Sequence, residues 1–421
     1  MRGIFLTLVY LSILVLGFQS SFLLVLGYVW VDIFTPQLLA YSILPSIPVS
    51  MILGLCVFIA FFKLPKDNAV QLRGVTVLVA LFGIWMTMTL IWAAVPDAAY
   101  DKWNWAIKNI LFSCLVPFFL RSRVHIEAFL WTVVISGMAH CLPFGAKVLL
   151  SGGGYGMPLG LVYVNYGYGE GSTLAMFAIS LIPMCLYLYK WQTLIPYPRL
   201  TKWMLMLFMV MAFLTSVGTY ARTGLVSIGV LGLLLILRSK NKVRYLILLS
   251  IVGLVAFSGA SDQWTGRMST IGDGTEGSAM GRVAVWLWTM GYVMTHPLGG
   301  SFDVFRINEM TMTLADGSLL VVEAKAFHSI YFEILGETGF PGFLLFAAIV
   351  LKTRSHFINA RNAVLSKENA WLSDAGLYLL FTLYVYLAGG AFIGVGFQSY
   401  FYYLAALSVA LYNLQQRFQR A

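Results

Sequence analysis

Apolar stretches long enough to cross a bilayer recur along this chain and constrain its fold more than any other feature. A helix spanning the hydrocarbon core needs roughly 20 predominantly apolar residues. Such runs lie at about residues 3–34, 41–62, 72–94, 103–120, 124–149, 171–189, 203–219, 221–237, 244–260, 329–351, 373–393 and 397–415. Within hydrocarbon, every backbone N–H and C=O must find its partner inside the protein, so runs of this length fold as helices. The expectation is an all-α polytopic membrane protein of about 12 transmembrane helices, a single integral membrane domain over residues 1–421. The first run is too long for one straight span and can also form two shorter helices.

Charge then orients the spans. With residues 3–34 counted as one net crossing, Arg2 and the alternate loops collect 19 of the 27 Lys and Arg residues, among them Lys63, Arg121, Lys190, Arg238, Lys352 and Arg417. The opposite side holds 8 basic residues and 13 of the 17 acidic ones. An excess of Lys and Arg marks cytoplasmic loops. Both termini are therefore expected in the cytoplasm, with residues 261–328 as a large loop outside, which is periplasmic if the membrane is a bacterial inner membrane. The same pattern argues against a nucleic-acid partner, because the formal charge of +10 is split into short clusters that flank spans. Cys56, Cys114, Cys141 and Cys185 lie within apolar runs, which fits neither a disulfide framework nor a zinc site.

Two outward segments stand out. Residues 150–171 are rich in Gly and Tyr but lack the Gly-Lys-Ser/Thr of a nucleotide-binding loop. They read either as a flexible cover over a cavity or as Tyr faces for sugar rings. Within 261–328 a helix is expected at about 279–295, with Ser278 as a possible cap and His296-Pro297 as its stop.

Three residues carry the candidate chemistry. Arg222 lies where two apolar spans meet, in Gly218-Thr219-Tyr220-Ala221-Arg222-Thr223-Gly224. An ionisable group at that depth either snorkels to the surface or faces a cavity or an anion. Arg282 falls in the first turn of the outer helix, where a guanidinium beside free backbone N–H groups suits phosphate. An ion pair with Asp273 or Glu276 is the plainer role. His328 is expected in the first turn of the next span, where the positive helix end keeps imidazole neutral and able to accept a proton. Glu333 and Glu337 point away from His328 around that helix and pair elsewhere, for instance with an arginine deeper down. His125, His140, His296 and His356 show no metal-ligand spacing, and no Asp-x-Asp pair is present, so no metal or other cofactor is expected.

In order and spacing these segments resemble the bacterial O-antigen ligase and polymerase superfamily. The resemblance rests on Gly-Thr-Tyr-Ala-Arg222-Thr-Gly, on Gly281-Arg282-x3-Trp286 followed by His296-Pro297-Leu298-Gly299, and on His328-Ser-x-Tyr331-x-Glu333-x-Leu-Gly-Glu337-x-Gly339. It covers about residues 170–345. The amino-terminal third, with Tyr28-Val-Trp-Val-Asp32 and Leu44-Pro-Ser-Ile-Pro48, is similar to the branch of O-glycosylation ligases associated with exosortase systems. At Asn165–Ser172 the chain departs from its relatives' Asn- or Asp-rich run, so no role carries over to that loop.

The resemblance implies a membrane glycosyltransferase of the GT-C-like class, acting on a glycan carried by undecaprenyl pyrophosphate. For a ligase the acceptor is lipid A-core; for a polymerase it is another glycan, and for the protein-directed branch a Ser or Thr. Arg222 and Arg282 would hold the pyrophosphate and His328 would act as general base, with Tyr220, Tyr331, Glu333 and Glu337 in support. Neither metal nor cofactor is implied, and the single displacement inverts the anomeric centre. A polytopic transporter or flippase is the alternative of a different class.

Overall fold

A computed structural model of the protein describes residues 2–40, 43–64, 74–151, 168–242, 277–313, 317, 319–363 and 366–420. The helices are α1 (Arg2–Gln19), α2 (Ser21–Phe34), α3 (Val49–Phe62), α4 (Val75–Met88), α5 (Pro96–Phe119), α6 (Arg123–Ser151) and α7 (Gly171–Trp191). They continue with α8 (Pro198–Gly218), α9 (Arg222–Arg238), α10 (Gly277–Thr295), α11 (Ile330–Asn362), α12 (Ala370–Gly390) and α13 (Ser399–Arg420). Among the described residues, seven helical stretches are long and apolar enough to cross a membrane. The chain is a polytopic helical membrane protein, as its apolar runs require. The expected span at 244–260, residues 261–276 of the outer loop and most of the Gly/Tyr-rich loop fall outside the described residues.

The first apolar run forms two helices rather than one. α1 and α2 are antiparallel: a Cβ on Gly17 would collide with Leu24, and one on Gly27 with Ile13. These glycines let the two backbones close up around the bend at Ser20. α2 ends where Asp32 accepts hydrogen bonds from Ser399 and, at 2.8 Å, from Tyr403. Arg2 lies beyond that end. Arg417 lies at the other, donating through Nη1 to the Arg121 carbonyl at 3.4 Å. The two termini thus occupy opposite ends of the bundle, which corrects the single-crossing count that placed both in the cytoplasm. Lys190 and Arg123 lie at the Arg417 end, where Lys190 pairs with Asp374 at 2.5 Å and Arg123 Nη2 donates to the Trp191 carbonyl at 2.7 Å.

The outer segment has its expected helix, α10, ended by His296 stacked on Tyr292 with ring centroids 4.3 Å apart. The proposed Ser278 cap falls outside the described side chains. Residues 309–323 add something an all-α reading left out, an antiparallel hairpin of β1 (Glu309–Thr313) and β2 (Leu319–Glu323), with Glu309 opposite Glu323. Its β-branched Thr311, Thr313, Val321 and Val322 favour a pleated strand.

α11 is broken at Gly339, whose φ of 65° and ψ of −169° interrupt the helix just before Pro341. The turn after α10 enters this break. A Cβ on Gly339 would strike the backbone of Pro297 and Leu298, and one on Gly299 (φ 78°) the backbone of Gly339 and Glu337. Polar groups at the break are met from outside the helix: the Phe340 N–H donates to the Pro297 carbonyl at 2.9 Å, the Gly336 carbonyl accepts the Gly300 N–H at 3.0 Å, and the Thr338 carbonyl accepts Trp85 Nε1 at 2.8 Å. A broken helix survives at membrane depth only when its freed groups are bonded in this way.

Gly339→Ala adds strain at a left-handed position and a backbone collision, and should cost at least ~2 kcal/mol of stability. Gly229→Ala, in α9 with nothing within 4 Å of its Cβ position, should be neutral or stabilising by up to ~1 kcal/mol. Thermal unfolding of the two detergent-solubilised variants checks the contrast.

Candidate functional site

Three carboxylates close on one ammonium at the end of the bundle away from Arg417. Lys102 Nζ on α5 donates to Glu333 Oε1 at 2.8 Å and to Glu337 Oε1 at 2.7 Å, both on α11, and lies 3.6 Å from Asp303 Oδ1. Each acid is held a second time. Glu333 Oε2 accepts the Gly396 N–H at 2.7 Å, Glu337 Oε1 accepts the Asp303 N–H at 3.0 Å, and Asp303 Oδ2 pairs with Arg306 Nη2 at 3.0 Å. Spacing of four residues puts Glu333 and Glu337 on one face of α11. Their partner is thus a lysine from another helix, not the arginine expected. Two acids on one apolar helix do signal an inward-facing cation, but Lys102 stands beside Asp101 and Asp97 in sequence and reads as an ordinary outer charge.

His328 precedes α11 instead of lying in its first turn. Ser329 occupies the cap position and the helix begins at Ile330. The reason is local: Phe327 is buried against Gly336, and its carbonyl accepts from Trp286 Nε1 at 2.8 Å. The chain must then turn sharply, and His328 adopts a left-handed backbone with φ 47°. Burial, together with Arg282 and Lys325, lowers its pKa below the ordinary imidazole value, while Glu170 and Glu333 act in the opposite direction. The neutrality inferred from a helix dipole therefore has another origin, desolvation and two nearby cations. All six left-handed non-glycine residues among those described, Thr35, Tyr220, Ser301, Asp303, Ala324 and His328, lie toward this end. Backbone strain of this kind gathers where a site has to be held in shape.

Arg282, Lys325, Glu170 and Glu333 thus act on His328 from three helices and a loop. Arg222 opens α9 at the same end, two residues after the buried Tyr220. Helix contacts place it there. A Cβ on Gly224 would come within 3.3 Å of the Ala175 Cβ near the start of α7, where Glu170 caps Thr173 at 3.1 Å. A Cβ on Gly389, late in α12, would come within 2.9 Å of Ser227 Oγ on α9, and one on Gly390 within 3.3 Å of Ile330 Cγ2. Tyr331 faces α12 and donates its hydroxyl to the Leu387 carbonyl at 3.1 Å, so it braces α11. Lys102, Glu170 and Lys325 are the site residues that the sequence reading passed over.

Residues 206–347 match the O-antigen ligase family. That stretch is an O-antigen ligase domain, which supports membership of the superfamily. That match covers about a third of the chain and includes Arg222, Arg282, Lys325, His328, Glu333 and Glu337. Residues 1–193 match a family of unknown function, DUF5935. No curated protein matches the chain. The two matched regions meet at the site, since Lys102 and Glu170 come from the first and their partners from the second. The O-antigen ligase domain marks the chain as a glycosyl-transferring membrane enzyme.

Lys102→Met leaves Glu333 and Glu337 buried without their cation. The Lys102 side chain is 20% exposed, so the expected destabilisation is at the low end of that for breaking a buried pair, about 3 kcal/mol. Adding Glu337→Gln should recover part of the loss, because it removes one of the stranded charges. Unfolding midpoints of the single and double variants measure it.

Proposed function

We propose that this enzyme transfers a glycan from undecaprenyl pyrophosphate to a hydroxyl of lipid A-core, at the periplasmic face of the bacterial inner membrane. The observation that carries the reading is a partly buried His328 whose pKa burial and the charges of Arg282 and Lys325 lower, within a region that matches the O-antigen ligase family. His328 takes the proton from the acceptor hydroxyl as its oxygen bonds to the anomeric carbon. The bond from that carbon to the phosphate oxygen breaks, and the electron pair stays on phosphate. Arg282 and Arg222 bind the growing charge on the leaving pyrophosphate, where a guanidinium fork suits its oxygens. Attack opposite the leaving group inverts the anomeric centre.

The test is to incubate the purified chain with an undecaprenyl-pyrophosphate glycan and, in separate reactions, lipid A-core, a second glycan or a Ser/Thr peptide. A mass-shifted lipid A-core supports the reading. Product only with the second glycan makes the enzyme a polymerase, and product only with peptide makes it a protein O-glycosyltransferase. Glycan moved across vesicles with no new bond overturns the transferase reading.

His328→Ala should lower kcat by at least ~100-fold with little change in donor KM, as expected for loss of a general base. Arg222→Ala and Arg282→Ala should weaken use of the donor by roughly 10- to 100-fold, the worth of a hydrogen bond to a charged group. Wild-type rates in all three would refute the mechanism.

The pH profile is a separate check. Neutral His328 is the active form and its pKa is lowered, so kcat/KM should hold as pH falls toward the usual imidazole value of roughly 6.5 and drop only below it. Arg282→Ala removes one of the lowering causes. Its acid limb should therefore begin at higher pH than in wild type.

A further inference from the structure

The segment between β2 and α11 is held more firmly than a connection requires. Asn308, itself buried, grips Lys325 by both backbone groups: the Lys325 N–H donates to Asn308 Oδ1 at 2.9 Å, and Asn308 Nδ2 donates to the Lys325 carbonyl at 2.8 Å. The Ala324 N–H donates to the Asn308 carbonyl at 3.0 Å, and Ala324 is itself left-handed with φ 46°. Downstream, the Trp286 bond to the Phe327 carbonyl fixes the other side. With both ends tied, the Lys325 side chain runs over Gly281 on α10. Its Cε and Nζ lie 3.6 and 3.9 Å from the position of a Cβ there. The ammonium thus rests beside the residue that precedes Arg282. Among the described residues no carboxylate forms an ion pair with Lys325.

Lys325 reaches the residue next to Arg282 on α10, and both cations oppose a proton on His328. An anion between them removes that opposition. We infer that Lys325 is a third cation for the pyrophosphate of the lipid-linked donor, acting beside Arg282 and Arg222. This rests on the transferase reading above. The stoichiometry fits: a pyrophosphate diester carries two negative charges, and a third appears on the phosphate oxygen that keeps the electron pair when the glycosidic bond breaks. Lys supplies a compact point charge where Arg supplies a planar fork.

A second consequence concerns the base. Arg282 from α10 and Lys325 from the loop disfavour a proton on His328, while Glu170 from α7 and Glu333 from α11 favour one. Pyrophosphate bound between the cations cancels their effect and leaves the carboxylates in force. Donor binding then strengthens His328 as a base at the moment when the acceptor's proton has to be taken.

The test uses the full chain in phosphatidylcholine nanodiscs, with Lys325→Met and Lys325→Arg. In the Met variant, donor KM and the inhibition constant of inorganic pyrophosphate should both rise roughly 10- to 100-fold. Acceptor KM should not move, and the acid limb of kcat/KM should shift upward. The Arg variant should recover most of this. Gly281→Leu keeps the lysine but displaces it, so it should weaken donor use in the same way, independently of any folding defect in the Met variant.

Unchanged donor KM and pyrophosphate inhibition in Lys325→Met overturn the inference while leaving the transferase reading intact. Adding phosphatidylglycerol separates the two phosphate sources: competition with donor that the Met variant abolishes would make Lys325 a phospholipid-headgroup site and also overturn it. If wild type transfers nothing, the transferase reading fails, and pyrophosphate binding followed by Trp286 and Trp288 fluorescence still decides. Binding lost in Lys325→Met supports the anion site, and equal binding refutes it.

Discussion

Lys102 brings a positive charge into the packed end of a helical bundle away from Arg417, and acids from two other segments converge on it. Desolvating an ammonium costs several kcal/mol, and close, hydrogen-bonded carboxylates offset that cost. Here the offset also does structural work. Glu333 and Glu337 fix the first half of α11 against α5, Asp303 fastens the turn that follows α10, and the Glu333 bond to Gly396 sets the approach to α13. His328 lies five residues before Glu333, just ahead of α11, and Arg282 lies on the helix that leads into the Asp303 turn. The geometry around the base therefore depends on a cation that touches neither residue.

The membrane helices were legible because a run of some 20 apolar residues has no other stable form in a bilayer. The region 3–34 was not, since its length alone allows one tilted span or two short ones, and the deciding contacts of Gly17 and Gly27 are tertiary. The hairpin at 309–323 was hidden by its composition: mixed Thr, Met and Val in a polar surrounding give no strong period. At the site, Arg222, Arg282 and His328 could be picked out because charge is rare and costly beside apolar spans. Lys102 could not, because its partner Glu333 is 231 residues away while two aspartates stand within five. The place of His328 was read one turn too far into the helix, since burial of Phe327, which forces the turn, depends on Trp286 and Gly336.

The amino-terminal region, matched only to a family of unknown function, is part of the same working unit as the ligase-matched region. It contributes Lys102 to the buried ion cluster and Glu170 to the surroundings of His328. Helix α12 and the segment after it, beyond the ligase match, close the other side through Leu387, Gly390 and Gly396. No single stretch of the chain contains the site.

The break at Gly339 moves the border between membrane and outer structure. The turn from His296 to Gly300 is threaded into α11, so the helix above Gly339 belongs mechanically with α10, and the helix below it with the bundle. An exchange of residues 277–329 between relatives, cut at the start of α11, would divide this joint and separate Asp303 from Lys102, and a cut after Gly339 would take both glutamates from it as well. The natural seam runs through the glycine, and any segment grafted across it must carry its own matching lysine from α5.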